Sequence, residues 1–171
     1  MVLPYRVQKQ ILTQWCWAAV SSSISKCYNE FSSWSQNKIA SVQLKQDCSV
    51  VFPPSSPAEL NQLEGLNDAL VITGNYAGIL NRPLKLAEII LQIKVGRPIG
   101  CQIARIDGQT HFVCLFGYNA DTFALYIGDP AFEGEYAVRI IAYEEFKDNY
   151  DGGRWVRSYP TQPKQNLTSQ I

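Results

Sequence analysis

Thr13-Gln14-Trp15-Cys16-Trp17-Ala18-Ala19-Val20-Ser21-Ser22-Ser23-Ile24-Ser25-Lys26-Cys27-Tyr28 is the stretch on which the fold turns. Trp17, Val20, Ile24 and the pair Cys27/Tyr28 recur at three- and four-residue spacing with no Gly or Pro between them. That pattern predicts a helix over about 13 to 28 that buries one stripe. Thr13 stands where it can cap the helix, which puts Cys16 in the first turn. A thiol there feels the positive end of the backbone dipole and nearby unpaired N–H groups, and both favour thiolate over thiol. Cys16 is therefore the candidate nucleophile. The competing reading is a small buried apolar residue, the ordinary condition of a free cysteine.

Beyond this helix, Ser56-Pro57-Ala58-Glu59 combines a capping box with proline at a first helical position, and Leu60 and Leu63 begin an apolar face, so a short helix is expected after Ser56. Leu86, Ile89, Ile90 and Ile93 repeat the helical spacing between about Pro83 and Val95, and Gly96 and Pro98 stop it. After Gly96 the chain turns to β-branched and aromatic runs bounded by turn residues. The expected strands are Ile99–Arg105, His111–Tyr118, Thr122–Gly128, Tyr136–Ala142 and Trp155–Tyr159, with a short helix over Tyr143–Tyr150. Helices first and strands afterwards predict an α+β fold, a helical half packed on an antiparallel sheet with a cleft between them.

The 171 residues fit one domain: a helical half over about 1–96, a sheet half over 97–159 and a loose tail over 160–171. With 46% hydrophobic and 18% charged residues the chain is globular rather than disordered. Fifteen basic and fifteen acidic residues cancel without a cationic run, which argues against nucleic acid as a partner. No apolar stretch approaches the ~20 residues of a membrane helix, so no membrane partner is expected. Met1 to Gln10 lacks the apolar core of a secretory signal, which leaves the compartment open. The cysteines, Cys16, Cys27, Cys48, Cys101 and Cys114, are odd in number, so one at least is unpaired within a monomer. With His111 the single histidine and no CxxC present, neither zinc nor another cofactor is implied. Cys101 and Cys114 read as packing residues in buried strands, and Asn166-Leu167-Thr168 matches a glycosylation sequon that chance also produces.

His111 opens a strand apolar on both faces, and a histidine there needs a partner. A three-residue loop at Asn119-Ala120-Asp121 would pair Tyr118 with Thr122 and, counting back along both strands, His111 with Asp129. Directly opposite residues share a face with Cβ atoms ~5 Å apart, close enough for a carboxylate to hold an imidazole. A two-residue loop would turn Asp129 to the other face. Asp129 is otherwise a bend residue in Gly128-Asp129-Pro130, and His111 otherwise a satisfied structural histidine. Given the pairing, Cys16, His111 and Asp129 form nucleophile, base and orienter. Gln10, six residues before Cys16, can bring its amide beside the Cys16 backbone N–H to hold an oxyanion. Trp15 or Trp17 is a candidate lining of the cleft, and Trp155 or Phe132 a candidate shield over the His111–Asp129 bond, with core packing the default reading of all four.

The segment Gln10-Ile11-Leu12-Thr13-Gln14-Trp15-Cys16-Trp17-Ala18-Ala19 resembles the nucleophile segment of papain-like cysteine proteases: a glutamine, five residues, then Cys-Trp-Ala at a helix start. Its Trp-Cys-Trp-Ala-Ala wording is most similar to the compact papain-like effector proteases of plant-associated bacteria. Gly96-Arg97-Pro98, His111-Phe112-Val113 and Asp129-Pro130 carry a second resemblance, to bacteriocin-leader-processing peptidases. The resemblance implies a papain-like fold and a thiol peptidase with Cys16 as nucleophile, His111 as base and acid, Asp129 as orienter and Gln10 in the oxyanion hole. It also implies a protein or peptide substrate, a monomer, an inhibitor or immunity protein as a further partner, and export or delivery into another cell. Asp129 stands where papain has asparagine, and no cysteine precedes Cys16 to form papain's bracing disulfide; Cys27 and Cys48 are the candidates for a different brace. A deamidase, transglutaminase or cell-wall amidase on the same scaffold, or a binding module on a retired one, are the alternatives.

Overall fold

The computed structural model describes residues 1–53 and 56–165. Its helices are α1 (Cys16–Tyr28), α2 (Gln36–Leu44), α3 (Leu66–Thr73), α4 (Leu86–Lys94) and α5 (Tyr143–Asp148). Its strands are β1 (Ile99–Arg105), β2 (Thr110–Tyr118), β3 (Ala124–Gly128), β4 (Val138–Ala142) and β5 (Gly153–Pro160). They form one antiparallel sheet in the order β4-β3-β2-β1-β5. The architecture is α+β, four helices preceding the sheet and α5 lying between β4 and β5, in agreement with a papain-like fold.

Two apolar clusters cover the two faces of that sheet. Phe112, Cys114, Phe116 and Tyr159 meet α1, α2 and α3 on one face, while Cys101, Ile103, Val113, Leu115 and Trp155 meet α4 and α5 on the other. β2 is buried along almost its whole length, as its two-sided apolar sequence requires. Helix α1 is buried from Cys16 to Ser25, although it contains four serines in that span. Their hydroxyls are answered: Ser21 Oγ donates to the Ala69 carbonyl, Ser22 Oγ to the Trp34 carbonyl and Ser23 Oγ to the Ala19 carbonyl. The small side chains thus let neighbours approach closely with no orphaned polar group.

The N-terminal segment crosses the sheet as an extended strap. Leu3 N–H donates to the Phe116 carbonyl and Tyr118 N–H to that of Met1, and Gln10 N–H ends the strap on the Pro130 carbonyl, each within 3.0 Å. The crossing needs glycine beneath it, because a Cβ on Gly117 would meet the Val2 backbone at 3.0 Å and one on Gly128 the Tyr5 ring at 2.8 Å.

Several local expectations need correction. Helix α1 starts at Cys16 with Trp15 at the cap position and no side-chain cap, so Thr13 lies too early to serve. Residues after Ser56 make only a single 3-10 turn, Ala58–Leu60, and Ser56 Oγ has no partner, so the capping box does not form. Helices α2 and α3 were not expected; α2 has weak amphipathy and is held by the Ser35 cap on the Lys38 N–H, and α3 starts at an uncapped Gly65. β3 starts at Ala124 and β4 at Val138, where the expected runs began earlier, because the turns at their starts put Phe123, Tyr136 and Ala137 in left-handed conformations. The chain also stays tied past Tyr159: Thr161 bridges Tyr76, and Asn75 Nδ2 donates to the Gln162 carbonyl. All five cysteines are free, so Cys27 and Cys48 form no brace. The sequon at Asn166 lies outside the described residues.

Candidate active site

The N-terminus of α1 is clamped by the loop that follows the 3-10 turn. Trp15 Nε1 donates to the Leu60 carbonyl at 2.9 Å and Trp17 Nε1 to the Gln62 carbonyl at 3.0 Å. Asn61 accepts from the Gln14 N–H at 2.9 Å and donates to Thr13 Oγ1 at 2.8 Å. Both indoles are fully buried, so core packing, their default reading, holds and neither lines the cleft; apolar bulk drives them inward and the two carbonyls satisfy their N–H groups. With no side-chain cap on α1, its first N–H groups, that of Cys16 included, are left for a ligand.

On the sheet side, His111 sits opposite Ile103 near the start of β2. Its Nε2 lies 2.7 Å from Asp129 Oδ1, with both side chains buried. The route to that contact differs from the expected hairpin. Tyr118 pairs with Leu125 rather than Thr122, which by itself would put Asp129 on the wrong face. A bulge at Phe116 then shifts the register by one residue, pairing Leu115 with Ile127 and Cys114 with Gly128. Continuing that register sets Asp129 across from Val113, on the same face as His111 and one diagonal step away. Two offsets cancel, and the carboxylate reaches the imidazole.

The Asp129 carboxylate has no oxygen to spare. Oδ1 also accepts from the Ala131 N–H at 2.9 Å, and Oδ2 accepts from the Tyr150 hydroxyl at 2.7 Å. Burial opposes the carboxylate charge, but the bonds to His111, Tyr150 and Ala131 outweigh it and hold Asp129 below the usual range. Burial likewise opposes the imidazolium, and the bond and charge of the Asp129 carboxylate, with the Cys16 sulfur beside the ring, overcome it, raising His111 from its ordinary 6.5 to about 9. The carboxylate thus favours the protonated ring. Tyr150 was not visible in the sequence as part of this site, since it lies 21 residues from Asp129 and only the α5-to-β5 turn returns it. Trp155 is one strand removed from His111 on the same face, and its ring packs on Phe146, which packs in turn on Tyr150. Phe132 packs instead beside the Arg139 guanidinium, 5.2 Å away.

Cys16, His111 and Gln10 open onto one small cavity of about 80 Å³, shared with Thr13, Arg105 and Thr110. Gln10 Nε2 donates one hydrogen to the Thr13 carbonyl at 2.6 Å, which leaves its second hydrogen uncommitted, and Gln10 Oε1 is buried without a partner. Of the five thiols, Cys16 alone faces the imidazole. Burial raises Cys101 and Cys114 well above the ordinary thiol range and Cys27 to about 11, which keeps them protonated and unreactive. Among the described residues no three His, Cys, Asp or Glu side chains gather as a metal site.

A sequence model of the family described as papain-like cysteine protease AvrRpt2 matches residues 1–151. No curated protein matches the chain.

Proposed function

This chain belongs to the AvrRpt2 family of papain-like cysteine proteases and is a cysteine-type peptidase acting on protein substrate; from that premise we propose that Cys16, His111, Asp129 and Gln10 carry the reaction. The observation that bears most weight is the buried His111 imidazole, bonded to the Asp129 carboxylate at 2.7 Å and opening with Cys16 onto one cavity. The cycle starts with the Cys16 proton on the His111 ring; the resulting thiolate attacks the scissile carbonyl carbon, and the displaced π pair collects on oxygen. The Cys16 N–H and the uncommitted Gln10 Nε2 hydrogen hold that oxyanion. The His111 imidazolium gives its proton to the amide nitrogen, the C–N bond breaks and the amine leaves a thioester on Cys16. Water then attacks the thioester, giving its proton to the now neutral His111, and the acid product departs with the thiolate–imidazolium pair restored. Asp129 keeps Nε2 occupied throughout, so the other ring nitrogen serves both proton transfers.

Alkylation and product analysis test this reading together. Wild type is expected to release new peptide amino termini from an unfolded protein substrate, and Cys16→Ala to fold normally, lose activity and lose labelling by a thiol-selective alkylator. Labelling that persists in Cys16→Ala means another thiol is the nucleophile. Ammonia released without new termini would replace peptide-bond hydrolysis by side-chain deamidation.

A further inference from the structure

Two buried polar atoms at the active-site cavity have no partner, and the mechanism uses neither: Gln10 Oε1 and Arg105 Nε. Arg105 is the stronger signal. It ends β1, and its backbone N–H closes the β1–β2 hairpin on the Gln109 carbonyl at 2.8 Å. The β1–β2 register pairs Ile103 with His111, so Arg105 lies one diagonal step from His111 on the same face. Its guanidinium forms no ion pair or hydrogen bond among the described residues, although five others of the fifteen Lys and Arg side chains form ion pairs there. No carboxylate lines the cavity to neutralise it. The nearest acid along the chain, Asp107, is committed to the hairpin turn, where Oδ1 accepts from the Gln109 N–H at 2.9 Å.

A half-buried guanidinium whose buried Nε has no partner leaves donors free for a bound group, and its planar fork suits a carboxylate. Its place beside His111 also fixes which part of a substrate it meets. The imidazolium delivers its proton to the departing amine, so the residues on the amine side of the cut bond run past the His111 strand and the hairpin next to it. We propose that Arg105 is a specificity-determining residue that binds an acidic side chain, Asp or Glu, within two residues on the amine side of the scissile bond. The inference rests on the peptidase reading above and adds a substrate class to it.

A mixed peptide library incubated with the full chain, its products sequenced, tests the subsite. Wild type is expected to enrich Asp or Glu within the first two amine-side positions, by about tenfold in kcat/KM over Asn or Gln at the same position. Arg105→Gln equalises acid and amide peptides, and Arg105→Glu turns the preference toward Lys or Arg. Circular dichroism and thermal melting of each variant separate lost preference from lost fold. Cleavage by wild type with no amine-side acid preference overturns the subsite and leaves the peptidase reading standing. An acid preference that survives in Arg105→Gln assigns it to another group and also overturns the proposal. No cleavage of any library member, by an enzyme whose Cys16 still alkylates, overturns the peptidase reading and the subsite with it.

Discussion

The helical and sheet halves hold their parts of the site by different means. On the helical side the thiol is placed by neutral hydrogen bonds to backbone: two indole N–H groups on the Leu60 and Gln62 carbonyls and the Asn61 side chain bridging Gln14 and Thr13. On the sheet side the imidazole is placed by charge, a buried ion pair whose carboxylate is fastened again by Tyr150 and Ala131. Neutral clamps respond little to pH, whereas a buried pair of titrating groups makes geometry and protonation one variable. The helical side therefore sets where the nucleophile is, and the sheet side sets both where the proton is and at what pH it stays.

The largest effect that tests this contrast is on rate. His111→Ala is expected to lower kcat/KM at least ~10²-fold, the ordinary worth of a positioned general acid–base, while near-wild-type far-ultraviolet dichroism shows that the helical half has kept its fold. A loss below tenfold would make His111 structural and reduce the sheet side to a second neutral clamp.

Next comes the pH dependence of stability. His111 binds its proton more tightly folded than unfolded, so its contribution is complete below about 6.5 and disappears as pH rises through about 9. The interval between those values corresponds to roughly 3 kcal/mol. Urea midpoints measured from pH 6 to 10 should fall across that window, and the activity should fall with them because the leaving amine loses its proton donor. In Asp129→Asn the same midpoints should be nearly flat. A slope as steep as that of wild type in the variant would separate the raised imidazole from Asp129.

How far these halves were readable from sequence follows from the same difference. Cys16 and Gln10 sit within one stretch whose helical spacing and Trp-Cys-Trp pattern are local signals, and β1 emerged with its expected bounds because its run ends at the Asp107-Gly108 turn. The clamp was missed because carbonyl acceptors leave no mark on sequence: a 3-10 turn at Ala58–Leu60 stands where a capping box suggested a helix. The His111–Asp129 contact was anticipated through a register that does not occur, since the longer β2–β3 connection has no glycine signature and Gly117, the strand glycine beside the Phe116 bulge, was not read as marking one. Parity alone carried the inference. Tyr150 could be reached only through tertiary structure, and Arg105 drew no notice because a lone strand-end arginine is ordinarily solvated.

The smallest effects discriminate most sharply, because they compare one clamp with the other. Tyr150→Phe removes the donor to Asp129 Oδ2 and should cost about 2 kcal/mol, as for a hydrogen bond to a charged group. Since Tyr150 helps hold the Asp129 carboxyl below its usual range, its loss raises the folded-state value. The carboxylate contributes stability above the ordinary range of its unfolded form and loses it as pH falls through the folded value, so the acid-side loss in Tyr150→Phe should begin at a higher pH than in wild type. Asn61→Ala removes two neutral bonds on the helical side and should cost about 1 kcal/mol at every pH, leaving the titration shape of wild type. Thermal melts of both variants from pH 3 to 7 make the comparison. An Asn61→Ala curve displaced along the pH axis would show that the helical clamp also governs the ion pair, and the division of labour between the halves would fail.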